Sequence, residues 1–208
     1  ITSSLISSNN VSIDVSGAGK AVIYENGQTF VPLKFTGQTG PSTTLASSQQ
    51  INTRRWQVAS TNGIQPGMLM EVKSSASWYC DPRPLSTDTR KSELHYVLKV
   101  DGNDIYTEGP ANDGYDVNVE TVAINFYSPI RVSLKNIKVL GVLPAAAPSS
   151  LRTAGIEIRN GVDVLLEDVD VENFARHGAF LIGCYNPTVL RGSYRNANYV
   201  NTGYGIQF

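Results

Sequence analysis

Two carboxylates, Asp170 and Glu172, stand two residues apart in Val164-Leu165-Leu166-Glu167-Asp168-Val169-Asp170-Val171-Glu172-Asn173-Phe174. On an extended strand that spacing turns both to one face. Glycoside hydrolysis needs such a pair, about 5–5.5 Å apart for retention of configuration and about 6.5–9.5 Å apart for inversion. Glu157, in Gly155-Ile156-Glu157-Ile158, is a further candidate acid. Arg176-His177-Gly178 adds a histidine that can act as acid or base near neutral pH and an arginine that can neutralise a uronate or position a base in elimination. Trp78-Tyr79, in a polar Pro-containing loop, offers flat apolar faces on which sugar rings stack, and Trp56 and Tyr115 are further candidates. Each group but one also has a plainer reading: a charge ladder for Asp170, a solvated strand face for Glu157, a turn whose imidazole caps carbonyls for His177, a loop anchor for Trp78-Tyr79. Glu172, with only Leu140 and Ala197 beside it in the stack, is the less compensated carboxylate and the better acid candidate of its pair. His95, inside an expected hairpin, reads as structural. The two histidines lie 82 residues apart, Cys80 and Cys184 lack ligand spacing, and there is no Asp-rich loop, so no metal is expected. No Gly-rich loop precedes a helix, so no cofactor is expected either.

The elements that must hold these groups are strands. Val 20, Ile 14 and Thr 15 make up about a quarter of the 208 residues, with 10 Tyr besides. Such side chains fit a pleated surface and lose rotamer freedom in a helix. No twelve-residue window has a 3.6-residue period, while Asn 16, Ser 20 and Gly 18 supply turns. The class is all-β. Charged residues are 17% and the net charge is −1, without any run of Lys or Arg longer than two, which argues against nucleic-acid binding. Apolar runs are too short for membrane insertion. No secretion signal is visible, and a chain beginning at Ile1 and stopping in mid-pattern at Phe208 reads as a piece of something longer. The two cysteines read as free thiols.

Three zones follow: short strands over 1–50, a β-hairpin insertion over 51–128, and repeated strands over 129–208. In the insertion, His95–Val100, Asp101-Gly102 and Ile105–Thr107 predict a hairpin on a type I′ turn. In the last zone, positions 132/164/189, 137/169/194 and 142/174/199 are apolar throughout. A second series, Gly155-Ile156-Glu157-Ile158, Ala179-Phe180-Leu181-Ile182 and Tyr204-Gly205-Ile206-Gln207-Phe208, recurs about every 24 residues. Repeats of this length built from short strands predict a parallel β-solenoid, whose successive laps stack one strand spacing, roughly 4.8 Å, apart. Outward columns must then alternate in charge. The alignment puts Lys138, Asp170 and Arg195 in one column, Lys135 over Glu167 in another, Glu157 beside Leu181 and Gln207, and Asn173 with Asn198 at a turn.

Short N-terminal strands, a hairpin-bearing insertion and laps ending in Gly-Ile-Glu-Ile or Gly-Tyr-Gly-Ile-Gln resemble the pectin-lyase-like right-handed parallel β-helix, and more narrowly bacteriophage tailspikes and tail appendages. The stretch from Gly63-Ile64-Gln65-Pro66-Gly67 through Ser92–Val97 to Asp113-Gly114-Tyr115 is similar to an insertion common in that group. The resemblance implies a homotrimer on the virion tail, assembled in host cytoplasm, that binds a bacterial surface polysaccharide and often depolymerises it, by hydrolysis in preference to elimination. A non-catalytic binding or structural module is the alternative, and a secreted, extracellular pectin-lyase-like enzyme is a third reading.

Overall fold

The computed structural model describes residues 4–15, 17, 19–25, 30–77, 90–142, 154–197 and 204–208. Among them every regular element is a strand, numbered β1 to β17 along the chain. They fall into two compact units, Ile1–Gly37 with Ile130–Phe208, and Gln38–Pro129.

The first unit consists of parallel sheets. One has the order β1 (Leu5–Ser7), β4 (Leu33–Thr36), β13 (Ala154–Arg159), β15 (His177–Ile182), β17 (Tyr204–Gln207). The other builds on β14 (Leu165–Glu172), which takes β11 (Val132–Lys135) and β12 (Ile137–Leu140) end to end along one edge and β16 (Thr188–Arg195) along the other. β2 (Val11–Asp14) extends β11, and β3 (Ala21–Tyr24) extends β12. From Ala154 onward the chain alternates between the sheets, so that β13 and β15 are neighbours in one and β14 and β16 in the other. The apolar residues of both pack into one core that includes Phe35, Ile156, Ile158, Leu166, Val169, Val171, Phe174, Ala179 and Leu181. Period-2 alternation, reset once at the left-handed Asp168, explains this: β14 buries Leu166, Val169 and Val171 while Glu167, Asp170 and Glu172 stay at the surface.

The expected register holds on one edge of β14 and shifts on the other. Ser133 faces Leu165 and Lys138 faces Asp170, the predicted offset of 32. Across the next pair Leu165 faces Thr188 and Glu172 faces Arg195, an offset of 23 rather than 25. Arg195 therefore joins the Glu172 column, Ser193 takes the place beside Asp170, and Asn173 pairs with Asn196 instead of Asn198. Slipping by two residues leaves every side chain on its original face, so the polar–apolar pattern could not detect it. Asn136, Asp168 and Arg191, equivalent in this register, are all left-handed, with φ of 56°, 53° and 47°. Asn and Asp tolerate that region; Arg191 is held there by hydrogen bonds of 3.0 and 3.2 Å from its Nε to Asp168.

The second unit is antiparallel, in the order β5 (Gln38–Thr44), β10 (Val122–Ser128), β7 (Leu69–Ser77), β8 (Arg90–Asp101), β9 (Asp104–Thr107), β6 (Arg55–Gln57). Because β5 pairs with β10, this unit begins at 38, ahead of the cut near 50 read from the sequence. A Leu45–Val58 bridge joins β5's end to β6's, with Ala46 N donating to Gln57 O at 2.9 Å, so the sheet closes on itself. Trp56, Val58, Met70, Val97, Ile124 and Phe126 fill its interior. The hairpin between β8 and β9 turns at Gly102-Asn103, with Gly102 at φ 57° and Asp101 facing Asp104. Glycine at the first central position is the signature of type II′, one residue later than the Asp-Gly type I′ turn expected.

Candidate functional site

The structure sorts the sequence-predicted groups onto different sheets. Asp170 and Glu172 lie on the outer face of β14, where each carboxylate is already engaged. Asp170 receives Lys20 Nζ at 2.6 Å and Ser193 Oγ at 2.8 Å. Burial pushes its carboxyl up, but these bonds outweigh burial and hold it below the usual range. Glu172 takes Lys138 Nζ at 2.7 Å and Arg195 on its other side; the Lys138 bond, first, keeps it low against a small opposing burial effect. Lys135 meets Glu167 at 3.1 Å, as the predicted column required, and Arg191 spans Glu167 and Asp168. Each acid is fixed as a paired anion, the state of a ladder and the opposite of what a proton donor needs.

Glu157 and His177 lie together on the other sheet. Glu157 is only 7% exposed and sits between Lys34 Nζ at 3.5 Å and Arg159 Nε at 2.7 Å. Its column runs Lys34, Glu157, Phe180, Gln207. The expected neighbour Leu181 is instead 1% exposed in the core, because the offset here is also 23 and Glu157 faces Phe180. The Arg159 guanidinium lies 6.0 Å from the Phe180 ring centre, and that ring lies 4.6 Å from His177's. His177 stacks on Tyr204 at 5.7 Å with the planes 16° apart. A continuous strip results: Lys34, Glu157, Arg159, Phe180, His177, Tyr204.

Arg176 lies in the bend before β15, and His177 opens the strand. The expected cap is absent: both ring nitrogens of His177 are buried and lack partners. Burial, and then the charge of Arg176, hold its imidazole down at about 4, so it is neutral at pH 7. A glycine column permits the close approach of these strands. A Cβ on Gly155 would lie 2.3 Å from Val171 Cγ1, and one on Gly178 would lie 2.5 Å from Gly205 O. Aligning the sequence on Gly155 and Gly178, 23 apart, would have brought Glu157 and Phe180 together.

Trp56 and Tyr115, considered as sugar platforms, belong to the core of the second unit, 0% and 1% exposed. Trp56 Nε1 donates to Thr107 Oγ1 at 3.1 Å. Trp78, Tyr79 and Cys80 lie outside the described residues; Cys184 is a free thiol. Among the described residues no group of three His, Cys, Asp or Glu side chains is placed to hold a metal ion, and no helix is long and apolar enough to cross a membrane.

Neither a protein-family model nor a curated protein sequence matches the chain. Solved structures do. The tailspike of Pseudomonas phage LKA1 is similar over 94% of this chain and 32% of its own, at 20% identity and a TM-score of 0.70. The tailspike of Pseudomonas phage phi297 is similar over 92% and 35%, at 17% identity and 0.58. The tailspike of Acinetobacter baumannii phage AP22, solved in complex with A. baumannii capsular saccharide, is similar over 92% and 40%, at 18% identity and 0.51. The chain spans about a third of the length of these proteins. In its fold the chain is a tailspike-like protein.

Proposed function

We propose that this chain is a right-handed parallel β-helix segment of a trimeric phage tailspike, carried on the virion tail, and that it binds a bacterial surface polysaccharide along the strip from Lys34 to Tyr204. One observation carries the reading: the fold is shared with a tailspike solved with a capsular saccharide on it. The strip has the chemistry such a ligand requires, with aromatic faces at Phe180 and Tyr204 for the apolar sides of sugar rings and an oriented Glu157 for hydroxyls.

The carboxylates support binding over cleavage. Glu157 is the sole acid on β1, β4, β13, β15 and β17, so that sheet offers no second carboxylate for hydrolysis. The acids on β14 are held as paired anions. The test is titration of the chain against purified surface polysaccharides from a panel of Pseudomonas and Acinetobacter strains, with reducing ends and unsaturated-uronate absorbance followed in parallel. Binding without new ends is the expected result, weakened roughly tenfold by Phe180→Ala. Silence across the panel defeats the reading; new ends that disappear in Glu157→Gln replace binding by catalysis.

A further inference from the structure

Buried polar atoms in a folded protein nearly always have hydrogen-bond partners, and an exception calls for a cause. In the first unit several such exceptions cluster around β15 and β17: Arg176 Nε, both ring nitrogens of His177, Gln207 Oε1, and Tyr194 Oη behind them. They are neighbours by register. His177 faces Tyr204, Phe180 faces Gln207, and Tyr204 N donates to Arg176 O at 2.9 Å. The Tyr194 side chain packs where Gly178 and Gly205 leave room, its Cβ 3.2 and 3.3 Å from where theirs would be.

The unmatched atoms specify their complement. Arg176 Nε–H carries a positive charge and has no carboxylate opposite it among the described residues, whereas Arg159 and Lys34 both share Glu157. Gln207 Oε1 is an acceptor in want of a donor. The imidazole offers one donor and one acceptor when neutral and two donors when charged. An anionic oxygen beside a hydroxyl satisfies this set; a neutral sugar leaves Arg176 unpaired, and an ammonium group is repelled.

The geometry points to a subsite for the carboxylate-bearing residue of an acidic glycan, formed by Arg176, His177 and Gln207 and floored by Tyr204. This deepens the glycan-binding reading above and rests on it. Arg176 takes the carboxylate, as guanidinium groups do in paired hydrogen bonds. Gln207 accepts from a hydroxyl of the same sugar. His177 lies behind them and registers the charge: a carboxylate on Arg176 cancels the repulsion that, after burial, holds the imidazole low. The other titratable or charged groups on elements packed against His177 are Glu157 and Arg159 of β13, Tyr204 of β17, Tyr194 of β16, and the acids of β14 with the Arg191 and Arg195 of β16 that pair with them. Binding therefore raises the His177 pKa and takes up a proton between the free value of about 4 and the higher bound value, so affinity for the acid grows as pH falls through that window.

The experiment compares a uronate-containing capsular polysaccharide from the panel with the same polymer after chemical reduction of its carboxyl groups. Both are titrated into the wild-type chain, Arg176→Gln and Arg176→Lys, while the Cε1–H resonances of the chain's 2 histidines are followed by NMR. Expected are at least tenfold weaker binding of the reduced polymer, loss of that discrimination in Arg176→Gln with partial retention in Arg176→Lys, and an upward move of the His177 titration on adding the acidic polymer alone. The resonances of His95 report that each variant is folded. Equal binding of both polymers by the wild type, or discrimination that survives Arg176→Gln, removes the subsite and leaves glycan binding standing. Failure of both polymers to bind takes the underlying reading down with it. Dissociation of an oligomer by Arg176→Gln with discrimination unchanged assigns these atoms to a second copy of the chain and overturns the proposal.

Discussion

His95 in the second unit and His177 in the first are exposed by only 2% and 1%, yet their surroundings are opposite. His95 Nε2 lies 3.0 Å from Glu93, and its ring tilts against Trp56 at 5.0 Å. Glu93 in turn accepts the backbone N–H groups of Asn112 at 2.7 Å and Asp113 at 3.0 Å and the Tyr115 hydroxyl at 2.8 Å. Burial pushes that carboxyl up, but the four bonds win and hold it at about 2. Around His177 two aromatic rings pack on the imidazole, but neither ring nitrogen has a hydrogen-bond partner. A buried histidine whose every bond is internal ties a loop to a strand; one left open is a place where an outside molecule can complete the structure. The first arrangement is expected to matter for stability and the second for binding.

That contrast can be broken in order of size. Glu93→Ala leaves His95, Tyr115 and two amides unpaired in the interior and should cost about 3–5 kcal/mol in denaturant titration, with glycan binding retained wherever the protein remains folded. A loss below about 1 kcal/mol would mean that the network is ornamental. Gly178→Ala pushes β15 against Gly205 O and the Tyr194 side chain, for about 1–3 kcal/mol, and should weaken glycan binding along with stability. Binding unchanged in that variant would separate the strip from its backbone support.

The pH dependence separates the two histidine sites further. His177 has a folded pKa of about 4 against 6.5 unfolded, so the unfolded chain binds the extra proton first. Stability from this group is complete above about pH 6.5 and drains as pH falls toward 4. Glu93, at about 2 against 4.5, gives a contribution present above 4.5 and lost only as pH falls toward 2. Thermal melts from pH 7 to 4.5 should therefore decline in the wild type and flatten in His177→Gln; an unchanged slope would contradict the buried neutral ring. The smallest effect is expected from Arg191→Ala on the β14 face. Its guanidinium is exposed, its ion pairs are screened by salt, and the difference from wild type should vanish at about 1 M salt.

The all-β class and the stacking of β11 and β12 on β14 were legible because apolar alternation and charge columns are written residue by residue. Lys135 over Glu167 and Lys138 over Asp170 came directly from that pattern. The later laps were misread by two residues, since an even slip conserves both faces and only the glycine column distinguishes the alternatives. On the other sheet the expected interval was one residue too long, 24 in place of 23, which put Leu181 beside Glu157 and hid Phe180. The site's most informative property, that Arg176, His177 and Gln207 lack partners, was not legible at all: it depends on what every other side chain has already done. Closure of the second unit's sheet escaped as well, because the Leu45–Val58 bridge joins segments whose individual patterns name no partner.

The equal offsets on the two sheets, with Glu157 facing Phe180 and Glu172 facing Arg195, carry a metrical consequence. Each lap advances by one strand spacing, roughly 4.8 Å, which is about the length of a single pyranose ring. A polysaccharide laid across the strands would march in step with them, meeting Lys34, Glu157, Phe180 and Gln207 at one rung per sugar. Under the proposed function the fold would serve as a ruler graduated in monosaccharides, and replacing the residue at one rung would edit the recognition of one sugar in the sequence.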